Sequence, residues 1–324
     1  MTTWLLRRLI QALFVVLAMT VIVFLGVNVI GNPVDILISP DADQAERVRA
    51  IAALGLDKPL WQQYLIFLQG ALHGDLGRSF VYNEPALKLI AERMPATMEL
   101  AVTAVLLSIF VGIPLGLYAG LHPNGIVGRA SMAGSILGFS LPSFWVGLML
   151  IMLFAVQLGW LPSTGRGQTA GLFGIQWSFL TRDGMAHLAM PAFNLSLGSI
   201  ALVLRLTRAG VRENLPMDYV KFARAKGLSA NRVVFVHVMK NILIPVVTVL
   251  GLQFGGLIAF SVVTESVFAW PGMGKLIIDS INVLDRPVIV AYLMMIVLLF
   301  VVINLAVDLL YTVLDPRVRL DDGQ

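Results

Sequence analysis

The chain has 324 residues, of which 58% are hydrophobic and 13% charged, with a mean hydropathy of +0.85 and a formal net charge of +4. Soluble domains run at about 45–50% apolar and about 25% charged residues, so this composition excludes a soluble enzyme and requires an integral membrane protein. There is no Cys, which removes disulfides, thiol chemistry and Cys-based metal centres.

Arg7 and Arg8 precede the first apolar run, residues 9–30. That run exceeds the roughly 7–15 residues of a signal-peptide core and no small-x-small cleavage site follows, so it is expected to remain as the first membrane span. A long segment, residues 31–97, comes next. Within it Ser39-Pro40 with Asp41 and Asp43 predicts a capped helix start, and Gly55 its end. Residues 60–72 are apolar but too short to span and carry Trp61 and Tyr64. They predict an interfacial or extracytoplasmic helix, serving as a lid or as a docking surface.

Five further apolar runs follow at 100–121, 130–161, 188–204, 242–264 and 288–307. Each is near or above the ~20 residues that cross ~30 Å of hydrocarbon, with 188–204 at the short limit. Pro114 with Gly112 and Gly116, Pro142 with Gly138, Pro191 with Gly198, and Gly251, Gly255 and Gly256 interrupt the runs, as suits close helix packing or kinks. Residues 159–186 read as a polar, glycine-rich loop, and Trp270-Pro-Gly-Met-Gly274 as a tight turn or re-entrant segment. No internal repeat of the kind that marks many secondary transporters is evident.

Six spans place both termini on one side, and Lys and Arg choose the side. With the N-terminus inside, 13 of the 23 basic residues fall on inner segments, eight of them between residues 205 and 240. The bias predicts cytoplasmic termini. The positive charge is then a topology signal and implies no nucleic acid.

The basic loop carries its own helix. Pro216 near a start, Asp218 in the first turn and Gly227 at the end bracket a helix over 217–226, with Tyr219, Phe222, Ala223 and Lys226 on one face at i, i+3, i+4 and i+7. A helix so short needs a partner surface or tertiary packing to persist. Gly227 suits the left-handed closing position, Leu228 folds back and Ser229 is placed to cap the next helix. From pattern alone the loop is either a lever for a soluble partner or an ordinary basic loop resting on anionic headgroups.

Four segments carry a resemblance. Tyr219-Val-Lys-Phe-Ala-Arg-Ala-Lys-Gly-Leu-Ser229, followed by His237 and Asn241-Ile-Leu-Ile-Pro245, is similar to the coupling loop of ABC-type importer permeases, specifically the "B" type subunit of the dipeptide, oligopeptide and nickel importers. Of the general Glu-Ala-Ala-x3-Gly signature only Ala223 and Gly227 coincide, while Lys221 and Phe222 depart from it. Leu54-Gly-Leu-Asp-Lys-Pro-Leu-Trp-Gln-Gln-Tyr64 with Gly74-Asp-Leu-Gly-Arg-Ser79, Thr264-Glu-Ser-Val-Phe-Ala-Trp-Pro-Gly-Met-Gly274, and Asn304-Leu-Ala-Val-Asp-Leu-Leu-Tyr-Thr-Val-Leu-Asp-Pro-Arg317 resemble the same family in the same order.

The resemblance implies an all-α membrane protein with the six helices of the type I importer (MetI-like) fold. It divides the chain into the first span (1–31), an extracytoplasmic insertion (32–97), a permease core (98–315) holding the coupling loop 205–240, and a cytoplasmic tail (316–324). Tyr219, Phe222, Ala223, Arg224, Ala225, Lys226, Gly227 and Leu228 would transmit force from partner ATPases. A second, related permease, two ATPase subunits that bind ATP and Mg, and an extracytoplasmic solute-binding protein would complete an importer of peptides or related solutes in the bacterial inner membrane.

The residues themselves limit the alternatives. Gly272-Met-Gly-Lys275 is followed by Leu276 and fails the phosphate-loop pattern, so no cofactor or ATPase activity is expected in this chain. His187 and His237 have no second ligand at metal-binding spacing. Gly138-Phe-Ser140 and Gly134-Ser135 provide serines but no base within a span, against an intramembrane hydrolase. An ion-coupled secondary transporter is the remaining alternative, yet it needs ionisable residues near the midplane. Among polar residues in the spans, Asn194 and Gln253, with Glu265 at an outer margin, are candidates to line a solute path; interhelical bonding or anchoring is the competing role.

Overall fold

The computed structural model describes residues 2–29, 43–53 and 57–314. The expectations at Ser39, Pro40, Asp41 and Gly55, and those on residues 315–324, lie outside the described residues. Among the described residues five helices are long and apolar enough to cross a membrane, and a sixth apolar stretch is a helix pair bent by 109°.

The chain divides into two compact units, Met1–Ala96 with Pro271–Val302 and Asp322–Gln324, and Thr97–Trp270 with Ile303–Asp321. The first unit holds α1 (Thr2–Val29), α2 (Gln44–Ala53) and α3 (Leu60–Leu72). The short apolar run is thus a helix of its predicted extent. Thr20 and Tyr64 share a 2.8 Å hydroxyl–hydroxyl bond, and Phe24 meets the rings of Tyr64 and Phe67 at 5.4 and 6.0 Å, which fixes α3 to α1. In the same unit Asp285 is fully buried and accepts hydrogen bonds from the Ser79 hydroxyl and the Phe80 amide, so one carboxylate closes the loop before Pro85.

α4 (Ala86–Leu107) runs through a π-helical turn (Ser108–Gly112) into α5 (Ile113–Leu121). One face of this span has glycine at every fourth position, and a Cβ on Gly112, Gly116 or Gly120 would come within 2.9, 2.6 and 2.6 Å of Val203, Leu204 and Val211, respectively. Those partners lie on α8 (Arg182–Asn214), so glycine lets the two backbones approach directly, as in small-residue membrane interfaces. The 33-residue α8 is far longer than the apolar run inside it, because its ends are polar turns that hydropathy does not count. Its start is capped by Thr181, whose hydroxyl accepts the Gly184 amide at 2.9 Å.

The run predicted as one span over 130–161 is broken into α6 (Ile126–Ser140) and α7 (Ser143–Leu150), the latter continuing as a π-helix (Ile151–Gln157). Pro142 is the cause. It forces Leu141 into extended backbone, ψ 137°, and brings no amide of its own. The polar loop that follows holds a short hairpin within the α-helical fold: β1 (Ala170–Leu172) pairs antiparallel with β2 (Ile175–Trp177). Phe173 and Gly174 both have positive φ, 53° and 76°, the geometry of a two-residue hairpin turn. Phe at the first position conceals that turn from a search for Asn-Gly or Asp-Gly.

After α8 come α9 (Asp218–Ala225) and α10 (Ala230–Arg232), then a π-helical stretch (Val233–Val238) leading into α11 (Met239–Val267). The Trp270 segment enters α12 (Met273–Asn282), and α13 (Arg286–Leu314) is the last helix among the described residues. Leu117, Val203, Val211, Val220, Ala223, Val233, Val238, Met239, Ile242, Val246 and Leu250 form one buried cluster, so α9 is built into the core of the second unit.

Candidate coupling helix and solute path

α9 is stabilised at its end more than at its start. Met217 in the cap position makes no side-chain bond, and the Asp218–Lys221 contact at 2.8 Å is solvent-exposed, which makes it a weak contributor. At the other end Gly227 takes φ +77°, its amide donates to the Arg224 carbonyl at 2.9 Å, and the Leu228 amide donates to the Ala223 carbonyl at 3.3 Å. This pair of reversed bonds is a Schellman motif, and Leu228 packs back onto the core cluster as that motif requires. Ser229 stands at the start of α10 but forms no capping bond with its side chain, contrary to expectation.

Helical spacing divides α9 differently from the sequence reading. Val220 is fully buried and Ala223 is 6% exposed, so Ala223 belongs to the inward face and not to a docking face. The reason is the core beneath the loop, which hydropathy of the spans does not reveal. What remains outward is Tyr219, Phe222, Arg224, Ala225 and Lys226, with Phe222 62% exposed. The Lys226 ammonium lies 4.6 Å from the Phe222 ring centre. The Tyr219 hydroxyl donates to Asn214 Oδ1 at 2.7 Å, and Asn214 donates to the Gly210 carbonyl at 2.8 Å, so the outward face is tied to the last turn of α8.

Of the three residues expected near a solute path, two converge. Asn194 on α8 and Gln253 on α11 line a cavity of about 280 Å³, together with Ser143, Ser199 and Thr264 and otherwise apolar groups. No ionisable side chain lines it. Asn194 is 3% exposed; its amide nitrogen donates to Thr264 Oγ1 at 3.1 Å, while its oxygen is buried without a hydrogen-bond partner. Glu265 is elsewhere. It is fully buried and accepts the Thr97 and Ser261 hydroxyls at 2.7 and 2.9 Å, a helix-to-helix tie and not a lining group.

A buried charge pair is missing from the sequence reading. The Glu99 side chain is fully buried and accepts Arg166 Nη2 at 2.6 Å and Nε at 3.1 Å through Oε2, and the Ser178 and Phe179 amides through Oε1 at 2.7 and 2.9 Å. Arg166 also donates to Ser178 Oγ at 3.0 Å and to the Gln176 carbonyl at 2.7 Å, which clamps the hairpin to the first turns after Ala96. Its only trace in the sequence is an arginine between two glycines, Gly165 and Gly167, and an acid at the margin of a span.

Helices long and apolar enough to cross a membrane, an uncharged cavity lined by several of them, and a short helix outside the apolar runs that is keyed into their core are features of a multi-span transport subunit. Residues 112–320 match the profile of the binding-protein-dependent transport system inner membrane component, and residues 1–101 match that of its N-terminal region. The chain belongs to this family. Relatives include the dipeptide transport system permease protein DppB of Escherichia coli K12, 38% identical, with 98% of this chain and 99% of that protein covered. The oligopeptide transport system permease protein AppB of Bacillus subtilis is 36% identical, covering 98% of this chain and all of that protein. Among solved structures, an inward-facing MetNI methionine ABC transporter shares the fold at a TM-score of 0.52, with 17% identity over 70% of this chain and 96% of that chain.

Proposed function

We propose that the chain is the transmembrane half of an ATP-driven importer that receives short peptides or related small solutes from an extracytoplasmic binding protein. It pairs with a second permease, both termini lie in the cytoplasm, and two partner subunits bind ATP and Mg. The peptide assignment rests on the relatives, which are named as dipeptide and oligopeptide permeases. Alternating access needs a rigid connection between the partner and the spans, and α9 supplies it. Val220 and Ala223 key the helix into the core, while Tyr219, Phe222 and Lys226 are left to seat in an ATPase groove. This division of one short helix into a buried and an aromatic face is the observation that carries the proposal. The uncharged cavity at Asn194 and Gln253 forms this subunit's wall of the solute path, and an ion-coupled mechanism finds no titratable group there.

The absence of Cys allows a direct test. Phe222→Cys, in the transporter co-expressed with the neighbouring ATPase genes, should crosslink to an ATPase subunit, and the yield should change when ATP binds. A residue 222 that crosslinks to no ATPase in any nucleotide state, in a complex that transports, would remove the coupling role.

A further inference from the structure

α3 is a helix of 13 residues without a single charged side chain and without a buried residue, attached to a membrane span by its aromatic side. We infer that α3 lies in the bilayer interface, with the face of Trp61, Leu65, Leu68 and Leu72 against lipid in the leaflet opposite the N-terminus.

The depth of the attachment supports this occupant. The first span covers Leu6–Gly26, and α3 touches it at Thr20 and Phe24. At 1.5 Å per helical residue these contacts lie about 9 and about 3 Å below the end of the span. An amphipathic interfacial helix rides about 5–10 Å into the headgroup and acyl boundary, the same level. Thr20 and Val23 are the buried side chains of α1 among those described, so the contact with α3 is confined to the last turns of the span.

The distribution of side chains agrees. Trp61, Leu65, Leu68 and Leu72 follow i, i+4, i+7 and i+11, and Trp61, Leu65 and Leu72 are 62%, 53% and 79% exposed. Gln62 and Gln69 fall on the adjoining arc, while Asp57 and Lys58 stand before the helix and His73 closes it. Exposed leucines at membrane depth without charge are costly against water and favourable against acyl chains. Lipid is therefore the chemistry that this face fits, and α3 anchors the end of α1 whatever the transported solute.

Leu65→Cys and Gln69→Cys, each labelled with an environment-sensitive fluorophore in the assembled transporter in lipid nanodiscs, test the assignment. At residue 65, emission should be blue-shifted and quenched several-fold more by doxyl-labelled lipid than by aqueous iodide, and the balance should shift toward iodide at residue 69 on the adjoining arc. Leu72→Cys repeats the lipid-facing measurement should the first variant fail to assemble. Iodide quenching at 65 and 72 equal to that at 69 would place α3 in water and overturn the inference. Protection from both quenchers would place a protein partner on this face and overturn it equally.

Discussion

Gly227 concentrates the coupling argument in one backbone angle. Its φ of +77° lies where an L side chain costs about 1–2 kcal/mol, yet a Cβ there would meet nothing within 4 Å, so the constraint is conformational and not steric. Gly227→Val should therefore leave assembly intact but abolish transport and the stimulation of ATPase activity by loaded binding protein. Gly227→Asn, which tolerates the left-handed region, should retain much of both. Equal loss in the two variants would mean that space, not backbone, matters at this turn. Val220→Ala is not a mild change, because Val220 is fully buried; removing its methyl groups should cost about 1–3 kcal/mol and lower the yield of complex. Ser229→Ala should be silent, since its side chain caps nothing.

Glu99 and Arg166 set a second prediction at this scale. A buried, multiply bonded pair is costly to break, because removing one partner leaves an uncompensated charge, on the order of 3–5 kcal/mol. Glu99→Gln should lower the thermal stability of the purified complex clearly, and adding Arg166→Gln should restore part of the loss. Additive losses in the double variant would show that the two groups do not act as a pair.

At the scale of elements, the approach of α5 to α8 depends on three glycines four residues apart. Gly116→Leu should force the helices apart, since even a Cβ would meet the Leu204 carbonyl at 2.6 Å. The variant should fail to accumulate in membranes, whereas Gly134→Leu, where nothing lies within 4 Å, should accumulate normally. Sequence reading found Gly112 and Gly116 as packing candidates but neither Gly120 nor the partner helix, because periodicity marks a face without saying what meets it. Pro142 reads as a packing or kink site in the sequence, but the full break there and the hairpin at residues 170–177 were hidden for related reasons. Apolar composition continues through a bend, and a hairpin of three-residue strands is too short to show alternation.

For the whole molecule, orientation is the expectation with the widest consequence. Asn83 and Arg224 are both exposed, and the cysteine-free background makes single replacements readable. In intact cells stripped of the outer membrane, Asn83→Cys should react with an impermeant maleimide and Arg224→Cys only after lysis. The reverse pattern would put the proposed coupling helix on the wrong side of the membrane for an ATPase.

The sequence by itself determined the membrane character, most of the spans, the helix over 60–72 and the capped helix ending at Gly227, because each depends on local chemistry: apolar length, terminal residues and a left-handed glycine. It also carried the family, through motifs spread in order along the chain. Only the tertiary structure decided which face of α9 is free, that Asn194 and Gln253 share a cavity while Glu265 does not, and that Glu99 meets Arg166 67 residues away. Those outcomes depend on which helix covers which, a property of packing between distant segments. A face with period 3.6 can be read from one segment, but its partner cannot.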